Sequence, residues 1–102
     1  MSNTKELLCA LLFFIFFKNI CAEEVSVKYI GKVNLNEYAC RSASSSVVKR
    51  ICYKEKTKNM ILLLQDTYYS YCGINKQVVY EFESAKSLGR YLNENIRGQY
   101  NC

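Results

Sequence analysis

The chain has 102 residues, with 14 basic and 9 acidic side chains, and has room for one small domain. It contains no histidine, which excludes histidine-based acid–base chemistry and histidine-ligated zinc. A net charge of +5 is too mild to indicate nucleic acid by itself; most such charges solvate a surface.

The first stretch reads as an export signal, not as part of the domain. Met1–Glu6 is polar with Lys5, Leu7–Phe17 is an unbroken apolar run, and Lys18–Ala22 precedes the acidic pair Glu23-Glu24. The apolar run is about half the roughly 20 residues that span a bilayer, so no stable membrane span is expected once the signal is removed. Lys18-Asn19-Ile20 before Cys21 lacks the leucine and small residues of a lipid-attachment site. The expected mature chain, Glu23–Cys102, keeps 12 basic and 8 acidic side chains.

Val25, Val27 and Tyr29, then Val33 and Leu35 beyond Gly31, alternate with mostly polar residues. They predict an extended, half-buried segment over 23–44 with a kink at the glycine. Arg41–Ser46 is small and polar and reads as a loop. Val47–Tyr53 is rich in β-branched residues and reads as a strand. Met60–Leu64 is apolar at every position, as in a strand covered on both faces. Thr67–Ile74 holds Tyr68, Tyr69 and Tyr71 and makes the third strand. Asn75 is placed to cap a helix, with Ile74 and Val79 as a hydrophobic staple and Val78, Val79 and Phe82 on one face. Ser87 caps a second helix whose apolar stripe is Leu88, Tyr91, Leu92 and Ile96, stopped at Gly98. The predicted fold is α+β: a three-stranded antiparallel meander followed by two short helices packed on one face. The N-terminal segment is expected over the other face.

Cys40, Cys52, Cys72 and Cys102 are an even set in a short, exported chain and predict two disulfides, each worth about 2–4 kcal/mol. Three pairings are possible. Cys40 and Cys102 both lie outside the strand–helix unit, which favours Cys40–Cys102 and Cys52–Cys72; the other two pairings stay open. No cysteine pair has the short spacing of a zinc site, so neither metal nor cofactor is expected.

Three stretches in order carry a resemblance. They are Ser45-Ser46-Val47-Val48 leading to Cys52-Tyr53, then Tyr69-Ser70-Tyr71, then the run Ala85-Lys86-Ser87-Leu88-Gly89-Arg90-Tyr91-Leu92-Asn93-Glu94-Asn95-Ile96-Arg97. The chain from Ser45 to Tyr100 resembles the KTSC domain, a small module found alone in bacterial and phage proteins and at the C-terminus of some lysyl-tRNA synthetases. The four cysteines and the segment from Val25 to Tyr38 resemble an exported branch, and Cys72 and Asn75 depart from the family pattern. The expected domains are therefore a signal at 1–22, an extended segment at 23–44 and a KTSC-like domain at 45–102. The resemblance implies no activity; RNA binding is implied only by association with the synthetases.

Candidate ligand-binding residues follow. Tyr69 and Tyr71 share one strand face, as a stacking pair needs, but a helix-covered face is ordinarily core. Arg90 and Arg97 are seven apart and fall on nearly one side of the second helix, able to hold anions or simply to be solvated. Asn93, disfavoured mid-helix, is expected to bond backbone and orient the helices. Gly89 is expected to allow close helix–strand approach. Glu81 and Glu83 diverge, and bridged cysteines offer no nucleophile, so no enzyme is expected. The reading is an exported, non-catalytic binding module of unknown ligand. The alternatives are RNA or single-stranded nucleic-acid binding, and a small envelope protein-binding or inhibitor module.

Overall fold

The computed structural model describes residues 23–102; the signal expected at 1–22 lies outside the described residues. The architecture is α+β, but the sheet has six strands instead of three. β1 (Glu24–Val27), β2 (Gly31–Asn34) and β3 (Ala39–Ser42) come from the N-terminal segment. β4 (Val48–Lys54), β5 (Asn59–Leu64) and β6 (Thr67–Tyr71) form the expected meander. The spatial order is β2-β1-β6-β5-β4-β3, antiparallel except for the parallel contact of β1 with β6. Helix α1 (Lys76–Glu83) and helix α2 (Leu88–Tyr91) follow, and α2 runs on into a π-helical turn, Leu92–Ile96.

The central strand β5 shows why the sequence chose this layering. Met60, Leu62 and Leu64 join Val48, Ile51, Tyr71, Ile74, Val79, Phe82, Leu92 and Ile96 in the core beneath the helices. Ile61 faces the other way and packs with Val27, Leu35 and Cys52 in a second, smaller core. An all-apolar strand is stable here because both faces are covered. A bulge at Lys49 makes this possible on β4: Val48 stays under the helices while Arg50 turns to the opposite face.

Local signals set the helices. Asn75 Oδ1 accepts from the Val78 amide at 3.1 Å and Ser87 Oγ from the Arg90 amide at 3.2 Å, each satisfying a free first-turn donor. The Tyr53 hydroxyl donates to the Ile74 carbonyl at 2.7 Å and so fixes the entry of α1 to the sheet. Gly89 is not needed for close approach: a Cβ there would meet Val47 at 3.6 Å, an ordinary contact.

The favoured cysteine pairing is corrected. The disulfides are Cys40–Cys52 and Cys72–Cys102. Cys40 and Cys52 stand directly opposite on β3 and β4 with Cα atoms 4.0 Å apart. Cys52 and Cys72 cannot pair because β5 lies between their strands. That places them about two strand spacings apart, roughly 9–10 Å, beyond disulfide reach.

Arg50 closes the second core at its rim. Its two Nη atoms donate to the Glu23 carboxylate at 2.7 and 3.0 Å, and Nη1 also reaches the Tyr68 hydroxyl at 3.1 Å. The hydrogen bonds from Arg50 hold the Glu23 carboxyl below its ordinary range, against a smaller opposing effect of burial. A carboxyl with a folded pKa below its unfolded one adds stability above the unfolded value and loses it as pH falls through the folded value. Glu23→Gln is therefore expected to lower the urea midpoint slightly at pH 7, with the difference from the parent fading below about pH 4. Urea titrations at several pH values check this; a difference that grows with acid contradicts it.

Candidate binding groove

β1 and β2 are joined by Lys28-Tyr29-Ile30, a tight connection closed by the Ile30 amide donating to the Val27 carbonyl at 3.0 Å. Closing it requires positive φ at two positions, 29 and 31, on either side of Ile30. Gly31 takes +106°, which costs glycine nothing, but Tyr29 takes +70°, where a bulky side chain is an outlier. The Tyr29 ring is 91% exposed and Ile30 is 51% exposed, with the Lys28 ammonium 5.5 Å from the ring centre.

This tip forms one wall of a groove of about 430 Å³. The floor is Tyr69-Ser70-Tyr71 of β6, and the far wall is Asn101-Cys102. The topology creates the opening. The pairing of β1 with β6 stops at Val27–Tyr68, where the Lys28 amide donates to the Tyr68 carbonyl at 2.9 Å. The C-terminal tail takes up the same edge again at Tyr71–Asn101, with the Cys72 amide donating to the Tyr100 carbonyl at 2.8 Å. Between these two attachments the β6 edge is left without a backbone partner among the described residues and floors the groove.

Two expected site residues, Tyr69 and Tyr71, therefore meet in one place, though not as a stacking platform. Both face the helix side, paired across β5 with Leu62 and Met60; Tyr71 is buried in the core and Tyr69 is half-buried. The other three stand elsewhere. Arg90 pairs with Glu94 at 3.8 Å, and Arg97 Nη1 donates to Asn93 Oδ1 at 2.8 Å. The π turn between Arg90 and Arg97 breaks the α-helical spacing that would align them. Asn93 is exposed and its side chain meets Arg97 instead of the backbone contact expected of it. Glu81 and Glu83 do diverge: Glu81 accepts from the Tyr91 hydroxyl at 3.1 Å, and Glu83 lies 3.8 Å from Arg41. Burial first, then the Glu81 contact, raises the Tyr91 phenol above its ordinary value. Sequence reasoning missed Lys28, Tyr29, Ile30 and Asn101. The available signal was the break in alternation at Ile30-Gly31, which marks a turn carrying two apolar residues.

Among the described residues no cluster of three or more histidine, cysteine, aspartate or glutamate side chains could hold a metal, and the four described cysteines are all bridged. Among them too, no helix is long and apolar enough to cross a membrane.

The model of the KTSC domain family matches residues 44–100. The fold is similar to the crystal structure of a KTSC domain protein from Yersinia pestis, with 25% identity and a TM-score of 0.59. That match covers 62% of this chain and 90% of that one. No curated protein matches the sequence.

Proposed function

The chain belongs to the KTSC domain family, and on that footing we propose that it is an exported, non-catalytic binding module that holds an extended segment of a protein partner in the groove beside Tyr29. One observation carries the reading: a bulky aromatic, 91% exposed, sits at φ +70° above a groove. Holding such a residue there costs about 1 kcal/mol or more, and stability alone would place glycine or asparagine at that position. An exposed apolar tip beside a concave surface with mixed polar and apolar walls suits a partner. The signal-like pattern at 1–22 and the two disulfides support export.

Nucleic-acid binding has less support. Tyr71 is buried, and Arg90 and Arg97 are engaged by Glu94 and Asn93 away from the groove. Lys28 is the one basic side chain among the groove residues.

Tyr29→Asn separates function from stability, because asparagine tolerates the left-handed region. The variant is expected to unfold in urea at the parent's midpoint or later, by up to about 1 kcal/mol. Peptides selected on the oxidised parent from a random linear library are expected to bind it at least about tenfold more weakly, a change of about 1.4 kcal/mol. Undiminished peptide affinity sinks the reading. Labelled single-stranded RNA is the control probe. RNA affinity that falls steeply with salt and survives Tyr29→Asn would move the function to nucleic acid.

A further inference from the structure

The two disulfides occupy different surroundings. Cys52 is fully buried in the second core, and Cys40–Cys52 joins strands that are already paired over four residues. Cys102 is exposed. Its tail leaves the π turn through Gly98, at φ +80°. The tail is attached by half-buried Tyr100 against the helix-side core, by the Cys72–Tyr100 backbone bond and Tyr71–Asn101 bridge, and by the disulfide. It therefore acts as a short added strand on the β6 edge and as one wall of the groove.

We propose that Cys72–Cys102 is a reducible latch that controls access to the β6 edge, while Cys40–Cys52 is a structural staple; the latch regulates the groove already proposed as the binding surface and rests on that reading. The co-reactant is a dithiol, small or protein-borne. One of its thiolates attacks Sγ of Cys102, an exposed residue; the Cys72–Cys102 bond breaks and Cys72 leaves as a thiolate. The second thiol of the reductant then attacks the mixed disulfide. Cys102 leaves as a thiolate and the reductant closes to its own disulfide, so two electrons pass to the protein. Each cysteine thiolate takes up a proton from solvent. The Ser70 hydroxyl, 3.3 Å from Cys102 Sγ, is placed to donate a hydrogen bond to the departing Cys102 sulfur. Once released, residues 99–102 are held by little more than the Cys72–Tyr100 backbone bond, the Tyr71–Asn101 bridge and half-buried Tyr100, and the edge from Tyr69 to Cys72 opens for an extended chain to pair with.

Graded dithiothreitol, alkylation and mass mapping of the purified oxidised protein test the order of opening. Cys72 and Cys102 are expected to alkylate at least about tenfold faster than Cys40 and Cys52. Equal rates, or Cys40–Cys52 opening first, overturn the latch. In a Cys72→Ser/Cys102→Ser variant, hydrogen exchange of the residue 72 amide, which donates to Tyr100, is expected to rise at least about tenfold while β4 and β5 keep their protection. Unchanged exchange at residue 72 overturns the latch even if reduction is selective. The same variant is then titrated with peptides selected on the oxidised parent. An affinity change of at least about tenfold joins latch and groove. If the exchange and alkylation results hold but no selected peptide binds either form, the latch stands and the groove reading fails.

Discussion

Phe82→Ala is expected to lower the unfolding free energy by about 3–5 kcal/mol. Phe82 is fully buried and is the largest of the fully buried side chains. It lies on α1 and stacks on Tyr91 of α2, with ring centres 5.6 Å apart, so it joins both helices to the sheet core. Truncation removes apolar area, empties a cavity in a close-packed interior and strands the Tyr91 ring. Tyr80, two residues away on the same helix, is 57% exposed, and Tyr80→Ala is expected to change stability by no more than about 0.5 kcal/mol. Urea denaturation of the oxidised proteins checks both. A Phe82→Ala loss under about 1 kcal/mol would contradict the core packing described here.

Removing the Cys40–Cys52 bridge as Cys40→Ala/Cys52→Ala is the other large expected effect. The bond closes a loop with a sequence separation of 12, for which chain entropy alone gives about 3 kcal/mol. The second core adds to this, because Cys52 is fully buried against Ile61, Val27 and Leu35, and alanine leaves part of that space unfilled. A domain of this size buries a limited core, so such a loss is a large share of its total stability. The expected outcome is a clear drop in the urea midpoint with the fold retained at low temperature. A variant as stable as the parent would show that β3 and the second core are held by other contacts. Cys72–Cys102 closes a longer loop, with a sequence separation of 30, and chain entropy gives about 3.6 kcal/mol. Its loss is nevertheless expected to be seen first as local opening, because few other backbone contacts attach the freed segment to the β6 edge.

The parts of the fold set by short-range chemistry were legible in the sequence. Asn75 and Ser87 cap helices through their own side chains, Gly98 takes the left-handed stop, and Met60–Leu64 announces a strand covered on both faces. Ala39–Ser42 was not legible as a strand. It is a largely exposed edge of small and polar residues, and edges of that kind carry no apolar alternation. The error in cysteine pairing follows from that omission: with Cys40 placed in a strand beside β4, Cys52 is its direct neighbour. The parallel return of β1 to β6 is a long-range pairing that no local pattern encodes. The site was half legible for the same reason. The tyrosine strand stood out, but what makes a groove of its edge is the gap between β1 and the tail, which exists only in three dimensions. Arg90 and Arg97 aligned on paper because the π turn at Leu92–Ile96 leaves no signature in residue spacing.

The most direct test of the account is amide hydrogen exchange of the oxidised protein with and without a peptide selected on it. Binding in the groove predicts new protection at Tyr29 and at Ser70, in the tip and the floor, with the already bonded Lys28 and Ile30 amides slowed further. Protection confined to Leu88–Arg97, with Lys28–Ile30 unchanged, would contradict it and place the binding surface on the helices.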